Sequence, residues 1–377
     1  MQLINIIGVI SVFVLLLLAV FLLTVKTHNK LSNRLFAVFL ILTAVNFSGW
    51  FVPLFLSDYS NLLMFRSTVS FLEMPFFYFY VLSVCYEDFE LKPKHLWHVI
   101  PFVFINLLLL PGFYLVDVAA KTEFLADSLY LFETQVDIAL GHIQWLFYIV
   151  LVLYTLSRFK KIYRENYAEA SFQIHKWLFQ ITMIFVVAHT FATLKRFIVY
   201  TPYDWAFGWL QIFVGVVALS VSCWFVLKAL YSPEFFRGVD SSLQTVDDLV
   251  QETESTERIS QKITNENPEI ARLNKYMKNE KPHLDSSLTL QKLAGQMEMS
   301  SRDLSILINH ELGQHFFDFV NKYRVEEAAT ILGNREKNYL TVLEILYEVG
   351  FNSKSSFNTA FKKHTDLTPT QYRKTRS

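Results

Sequence analysis

Seven apolar runs punctuate the first 230 residues, near 3–25, 35–56, 62–85, 96–116, 138–156, 177–199 and 207–230. Each is long enough for the roughly 20-residue helix that crosses a hydrocarbon layer. The fifth is the most interrupted, by His142 and Gln144. No Lys or Arg precedes Lys26 and no small-residue cleavage site follows the first run, so it reads as a retained span rather than a signal peptide. Apolar periodicity stops after Tyr231, and residues 240–268 are rich in Ser, Thr, Gln, Asn and Glu. Val246, Leu249 and Val250 hint at a short helix, but no heptad persists, so residues 231–268 are expected to be a polar tether.

Beyond the tether, short amphipathic helices replace the apolar runs, and they repeat. Thr289-Leu290-Gln-Lys-Leu293-Ala294-Gly-Gln-Met297-Glu-Met299-Ser-Ser301 reads as helix, tight turn and second helix, continued by Leu304, Leu307 and Ile308. Ser300 and Asp303 have capping-box spacing at the second helix. The pattern returns as Thr341-Val342-Leu-Glu-Ile345-Leu346-Tyr-Glu-Val349-Gly350-Phe351-Asn-Ser353, followed by Phe357 and Phe361. Thr289 matches Thr341, Leu293 matches Ile345, Met297 matches Val349, Met299 matches Phe351 and Ser301 matches Ser353; with one added residue, Leu304 and Ile308 match Phe357 and Phe361. Gly350 falls where the turn needs a residue tolerant of positive φ. Between the copies, 315–332 predicts a connecting helix with Phe316, Phe319, Tyr323 and Ala328 at helical spacing. Its length, about 27 Å at 1.5 Å per residue, suits two units addressing major grooves one helical turn, about 34 Å, apart.

From about Pro268 to Tyr372 the chain resembles the DNA-binding domain of the AraC/XylS family of bacterial transcription regulators. The resemblance is carried by Glu348-Val-Gly350-Phe351-Asn-Ser353-Lys-Ser355-Ser-Phe357-Asn-Thr-Ala-Phe361-Lys362-Lys363 and by Leu367-Thr-Pro369-Thr-Gln-Tyr372-Arg373. It implies an AraC-type domain at 269–377 with helix-turn-helix units at about 289–310 and 341–364; with the apolar runs, the expected architecture is all-α, a seven-helix transmembrane bundle, 1–230, preceding the tether, 231–268, and that domain. Matched positions place Arg302, Ser305, Ile306 and Asn309 on the first recognition helix, and Lys354, Ser355, Asn358 and Thr359 on the second. Arg302 would fork to guanine, Asn309 or Asn358 would bridge adenine, and Lys362, Lys363 and Arg373 would hold phosphates. Four residues in three places depart from the family's pattern. Asp366 stands for the usual glycine, which implies backbone strain; Leu346 stands for a small residue, which implies a wider helix contact; Ile306 and Asn309 stand where basic residues are common.

Charge adds direction. The formal net charge is zero, yet 231–269 carries 3 cations against 9 acids, while 270–377 carries 16 against 12. The basic end suits a polyanion. Twelve Lys and Arg, from Lys26 through the 158–164 cluster to Arg237, fall on one set of span ends; the other set has only Lys121, Lys195 and Arg196. The excess predicts an N-terminus outside and a C-terminal domain in the cytoplasm of a bacterial inner membrane.

Polar groups within the apolar runs are expensive unless they face a bundle interior or cavity. Arg66, Glu73, His142, Gln144, His189, Lys195, Arg196 and Gln211 form a candidate signal pocket; the competing reading pairs Glu73 with one cation for structure alone. Cys85 and Cys223 lie in apolar runs and offer no disulfide or zinc pattern. No Walker loop, H-E-x-x-H or G-x-S-x-G occurs, so neither an enzyme, a cofactor nor a metal centre is expected. The expected function is a one-component regulator coupling a membrane or envelope signal to promoter DNA; the alternative is a transporter or membrane enzyme with a regulatory DNA-binding appendage. Expected partners are double-stranded promoter DNA, the lipid bilayer, an unidentified small ligand or envelope signal, a second copy of the chain, and RNA polymerase if the regulator activates.

Overall fold

The computed structural model describes residues 3–25, 30–56, 60–86, 88–127, 130–168, 173–198, 201, 203–231 and 268–376. The tether reading therefore falls almost wholly outside the described residues. Among those residues the chain is helical, and it divides into two compact units. One comprises Met1–Leu156 with Gln173–Ser241; the other joins Ser157–Phe172 to Ser242–Ser377.

The first unit contains α1 (Leu3–Thr24), α2 (Lys30–Phe47), α3 (Asn61–Thr68), α4 (Glu73–Cys85), α5 (Ile100–Leu109), α6 (Val118–Ala126), the first part of α7 (Phe132–Asn166), α8 (Gln173–Ile198) and α9 (Phe207–Tyr231). Among the described residues, seven segments are long and apolar enough to cross a membrane. Each overlaps one of the seven apolar runs, though the second lies at Lys30–Trp50 rather than 35–56 and the fifth extends to Phe132–Asn166. The third combines α3, a 3₁₀ turn at Val69–Leu72 and α4. Pro75 sits in the first turn of α4, where a missing N–H breaks no helical bond. Pro111 lies instead in the π turn Leu110–Tyr114 that ends α5.

α1 packs on α2 and α9, α2 on α4, and α8 on α9. Gly215 permits the close approach of α9 to α1, because a Cβ there would lie 2.9 Å from Ile4. Rings fill the centre: Phe77 lies 5.5 Å from Phe39 and 4.8 Å from Phe185, and Phe36 stacks on Tyr80 at 4.5 Å. Outward positions such as Phe13, Leu17 and Val20 remain exposed and apolar. α7 has 35 residues, about 52 Å at 1.5 Å per residue, well beyond a hydrocarbon thickness of about 30 Å.

The C-terminal unit contains α10 (Pro268–Asn279), α11 (Leu290–Gln296), α12 (Ser301–Ser305), α13 (Phe316–Gly333), α14 (Val342–Glu348), α15 (Lys354–Thr365) and α16 (Pro369–Arg376). Two cores share α13. Phe316, Phe319 and Val320 join Leu293, Met297, Leu304 and Ile308 in the first. Val325, Ala328, Ile331 and Leu332 join Ile345, Val349, Phe357 and Phe361 in the second. Each repeat pair named here is buried at equivalent places, which is why the spacing recurs. Leu346 is itself buried in the second core.

The caps follow the same duplication. Thr289 and Thr341 accept the N–H groups of Lys292 and Glu344. Glu344 returns a bond to the Thr341 N–H at 2.6 Å, completing a capping box. Ser300 accepts the Asp303 N–H at 3.0 Å, while Asp303 accepts the Ser300 hydroxyl at 2.6 Å. The box expected at Ser300 is thus replaced by a bond between the two side chains.

Candidate nucleic-acid interface

Each unit presents its second helix through a tight turn. Gly350 has φ 88° and the equivalent Glu298 has φ 55°, both left-handed. Asp366, closing α15, also takes a left-handed φ of 59°, the strain expected from a side chain at a glycine position.

On the first recognition helix, Arg302 is exposed and Ile306 half-buried. Ser305 is only 4% exposed. Asn309 Nδ2 donates to Ser305 Oγ at 3.1 Å, and its Oδ1 accepts the Phe316 N–H at 2.9 Å. These two side chains pin the passage from recognition helix to α13, where the helix widens into a π turn over Ile306–Glu311. Their placement is explained by this internal role. On the second helix Lys354, Ser355 and Thr359 are exposed and Asn358 is half-buried. Ser353 caps that helix by accepting the Ser356 N–H. Lys362 and Lys363 are exposed at its end, and Arg373 is half-buried on α16.

Lys363 Nζ donates to Asp318 Oδ1 at 2.7 Å, and Arg164 Nη2 donates to Asp318 Oδ2 at 2.6 Å. Partial burial pushes the Asp318 carboxyl upward, but the bonds and charges of Lys363 and Arg164 outweigh it and hold the group below the usual carboxylate range. Arg324 is 1% exposed. Its guanidinium donates to the carbonyls of His283 (2.7 Å), Asp285 (2.8 Å) and Ala168 (3.2 Å). Sequence reasoning missed Asp318, Arg324 and the 164–168 segment. An arginine between Tyr323 and Val325 on the apolar side of a predicted helix was the available signal, since such a charge needs buried acceptors.

The candidate polar residues of the first unit fall into separate groups. Arg66 donates to the carbonyls of Val45 and Asn46 at 3.3 and 3.0 Å. The Asn46 side chain hydrogen-bonds Glu73. Glu73 Oε1 is buried without a hydrogen-bond partner among the described residues. His142 Nδ1 and His189 Nε2 lie 3.2 Å apart, and His189 stacks on Trp145 at 3.9 Å. Gln144 donates to the Phe71 carbonyl at 3.0 Å. Lys195 Nζ sits 5.4 Å above the Phe207 ring, and Arg196 exerts its charge on Asp137. Gln211 lines a different groove of about 380 Å³ with Leu3, Ile4 and Trp209. Asn46 thus links Arg66 and Glu73, and the two histidines meet; Gln211 joins neither group.

A helix-turn-helix domain family matches residues 293–375. The chain is 30% identical over 95 residues to YdeC of Bacillus subtilis, an uncharacterised HTH-type transcriptional regulator, covering 25% of this chain and 32% of that one. It is 33% identical over 85 residues to the HTH-type transcriptional regulator MtrA of Neisseria gonorrhoeae, covering 22% and 27%. The chain therefore spans about a third or less of the length of these curated relatives. Among solved structures it is similar to the C-terminal domain of AraT, a response regulator from Geobacillus stearothermophilus, at 35% identity, TM-score 0.26 and coverage of 30% and 89%. It is similar also to the C-terminal domain of the two-component response regulator yesN from Fusobacterium nucleatum, at 33% identity, TM-score 0.25 and coverage of 28% and 99%.

Proposed function

We propose that this chain is a membrane-anchored transcription regulator whose seven spans receive an envelope signal and whose C-terminal unit reads promoter DNA. The observation that carries the reading is the duplicated geometry: two equivalent helix-turn-helix cores share one 18-residue helix, each with an exposed recognition surface. Arg302 and Ile306 in the first unit and Lys354, Ser355, Asn358 and Thr359 in the second are the outward groups at matched positions. Lys362 and Lys363 are the phosphate contacts. Ser305 and Asn309 support that surface rather than touch bases. Identity to named transcriptional regulators over the same segment supports this assignment.

The membrane part of the proposal rests on the seven apolar helices and on the cation excess at one set of their ends. It places the chain in a bacterial inner membrane with the C-terminal unit in the cytoplasm. Signal reception is assigned to the Arg66–Asn46–Glu73 linkage and the His142–His189 pair. Genome-wide mapping of bound DNA, with the full chain and with residues 1–230 removed, tests the whole. Discrete promoters should be recovered in both cases, and their occupancy should respond to envelope conditions only with the full chain. Uniform, unenriched recovery would overturn the assignment.

A further inference from the structure

The C-terminal unit includes a segment that the apolar pattern assigns to the other half of the chain. Residues 157–166 continue α7 for ten residues past Leu156, about 15 Å at 1.5 Å per residue. The segment meets the DNA-binding domain in two independent ways. One is ionic: Arg164 shares the Asp318 carboxylate with Lys363. The other is a backbone clasp. Tyr167 and Thr289 form an antiparallel bridge, and the Ala168 N–H donates to the Leu288 carbonyl at 3.3 Å. The Ala168 carbonyl accepts from Arg324 at 3.2 Å and from Asn321 Nδ2 at 3.4 Å. The Ala168 side chain is 1% exposed within the core formed by Leu273, Leu288 and Phe316.

We propose that residues 164–168 are an intramolecular docking segment that sets the charge available to DNA at Lys363. Docked, the Arg164–Asp318–Lys363 group carries a net positive charge. A phosphate competes with Asp318 for the lysine in both states, but undocked, without Arg164 on the carboxylate, Asp318 and Lys363 cancel and hold each other more tightly. Because Arg164 belongs to the same continuous helix as the fifth apolar run, a shift of that helix acts on Lys363 without passing through the tether. The docking geometry stands alone, whereas its effect on DNA rests on the regulator reading above.

The test uses the full chain in membrane vesicles. Tyr167→Cys and Thr289→Cys are combined with Cys223→Ser, and a protease site is inserted between residues 240 and 260. A bridged antiparallel pair has a Cα separation of about 4.5–5.5 Å, within disulfide reach. After oxidation and cleavage, the two fragments should stay joined until reduced; fragments that separate without reductant would overturn docking. The second arm measures affinity for a mixed-sequence 30-base-pair duplex at fixed salt. Arg164→Ala should weaken binding by about tenfold, or about 1.4 kcal/mol, and adding Asp318→Asn should restore it. A linked pair with unchanged affinity in Arg164→Ala would overturn the control of Lys363. Absence of duplex binding by the unmodified chain would instead sink the regulator reading while leaving the cross-link result intact.

Discussion

The α-carbon of Gly350 faces the His283 carbonyl so closely that a Cβ would lie 2.7 Å from that oxygen. The Leu284 carbonyl is equally near, and the φ of 88° is left-handed. Gly350→Ala should therefore lose about 1–3 kcal/mol from the backbone conformation, with the steric conflict added. The equivalent turn residue of the first unit, Glu298, tolerates a side chain at φ 55°. Glu298→Gly should change stability by no more than about 1 kcal/mol. Urea denaturation of a 265–377 fragment carrying each change measures both; equal effects would contradict the packing argument.

Hydrophobic spacing found the repeat because Leu293 and Ile345, or Leu304 and Phe357, fill equivalent cores. It placed the connecting helix within one residue of Phe316–Gly333. The family resemblance, with an aspartate at a usual glycine position, implied the strained turn at Asp366. Periodicity does not report where polar side chains turn, so the bonds of Asn309 to Ser305 Oγ and from the Phe316 N–H emerge only from the fold. Nor does it report non-local partners: Asp318 and Arg164 are 154 positions apart, and nothing along the chain announces their pairing. The polar groups of the apolar helices stand out in the sequence, but the meeting of Arg66 and Glu73 at Asn46 and of His142 with His189 depends on tertiary packing.

Asn358 and Lys362 should fail in different ways when removed. Asn358 is half-buried midway along the second recognition helix, whereas Lys362 is exposed near its end. Lys362→Ala should weaken binding to all duplexes alike and reduce the salt slope by about one. Asn358→Ala should relax preference at particular bases, at about 1–3 kcal/mol for a lost bidentate contact. Binding titrations on cognate and random duplexes across several salt concentrations separate the two. Equal losses on both duplexes for Asn358→Ala would remove it from the base-reading surface.

Membrane orientation makes a prediction that needs no DNA. Residues 117–137 carry Asp117, Glu123, Asp127, Glu133 and Asp137 against the single Lys121, and the proposed topology exports them. Alkaline phosphatase fused after Ala126 should be active, because it folds outside the cytoplasm. Fusion after Tyr167, beyond the cation cluster of Arg158, Lys160, Lys161 and Arg164, should be inactive. The opposite pattern would invert the topology and put the helix-turn-helix units on the wrong side.

Glu73 supplies the test of signalling. Its carboxyl is bonded by Asn46, and Oε1 has no hydrogen-bond partner among the described residues. Arg66, the cation seven residues before it, donates to the Val45 and Asn46 carbonyls. Among the described residues Asn46 connects the two, through its carbonyl to Arg66 and its side chain to Glu73. An acidic group buried this way is costly, and intramembrane ionisable residues commonly mark functional sites. If Glu73 belongs to the switch, Glu73→Gln should lock reporter output high or low while membrane abundance stays near normal. A structural carboxyl behaves differently: the amide should lower abundance, and the remaining protein should still respond to the inducing condition. Asn46→Ala, which removes its side-chain partner, should reproduce whichever phenotype Glu73→Gln gives. Reporter output and membrane protein level, measured together in both variants, distinguish the two roles, and normal values of both in Glu73→Gln would exclude either one.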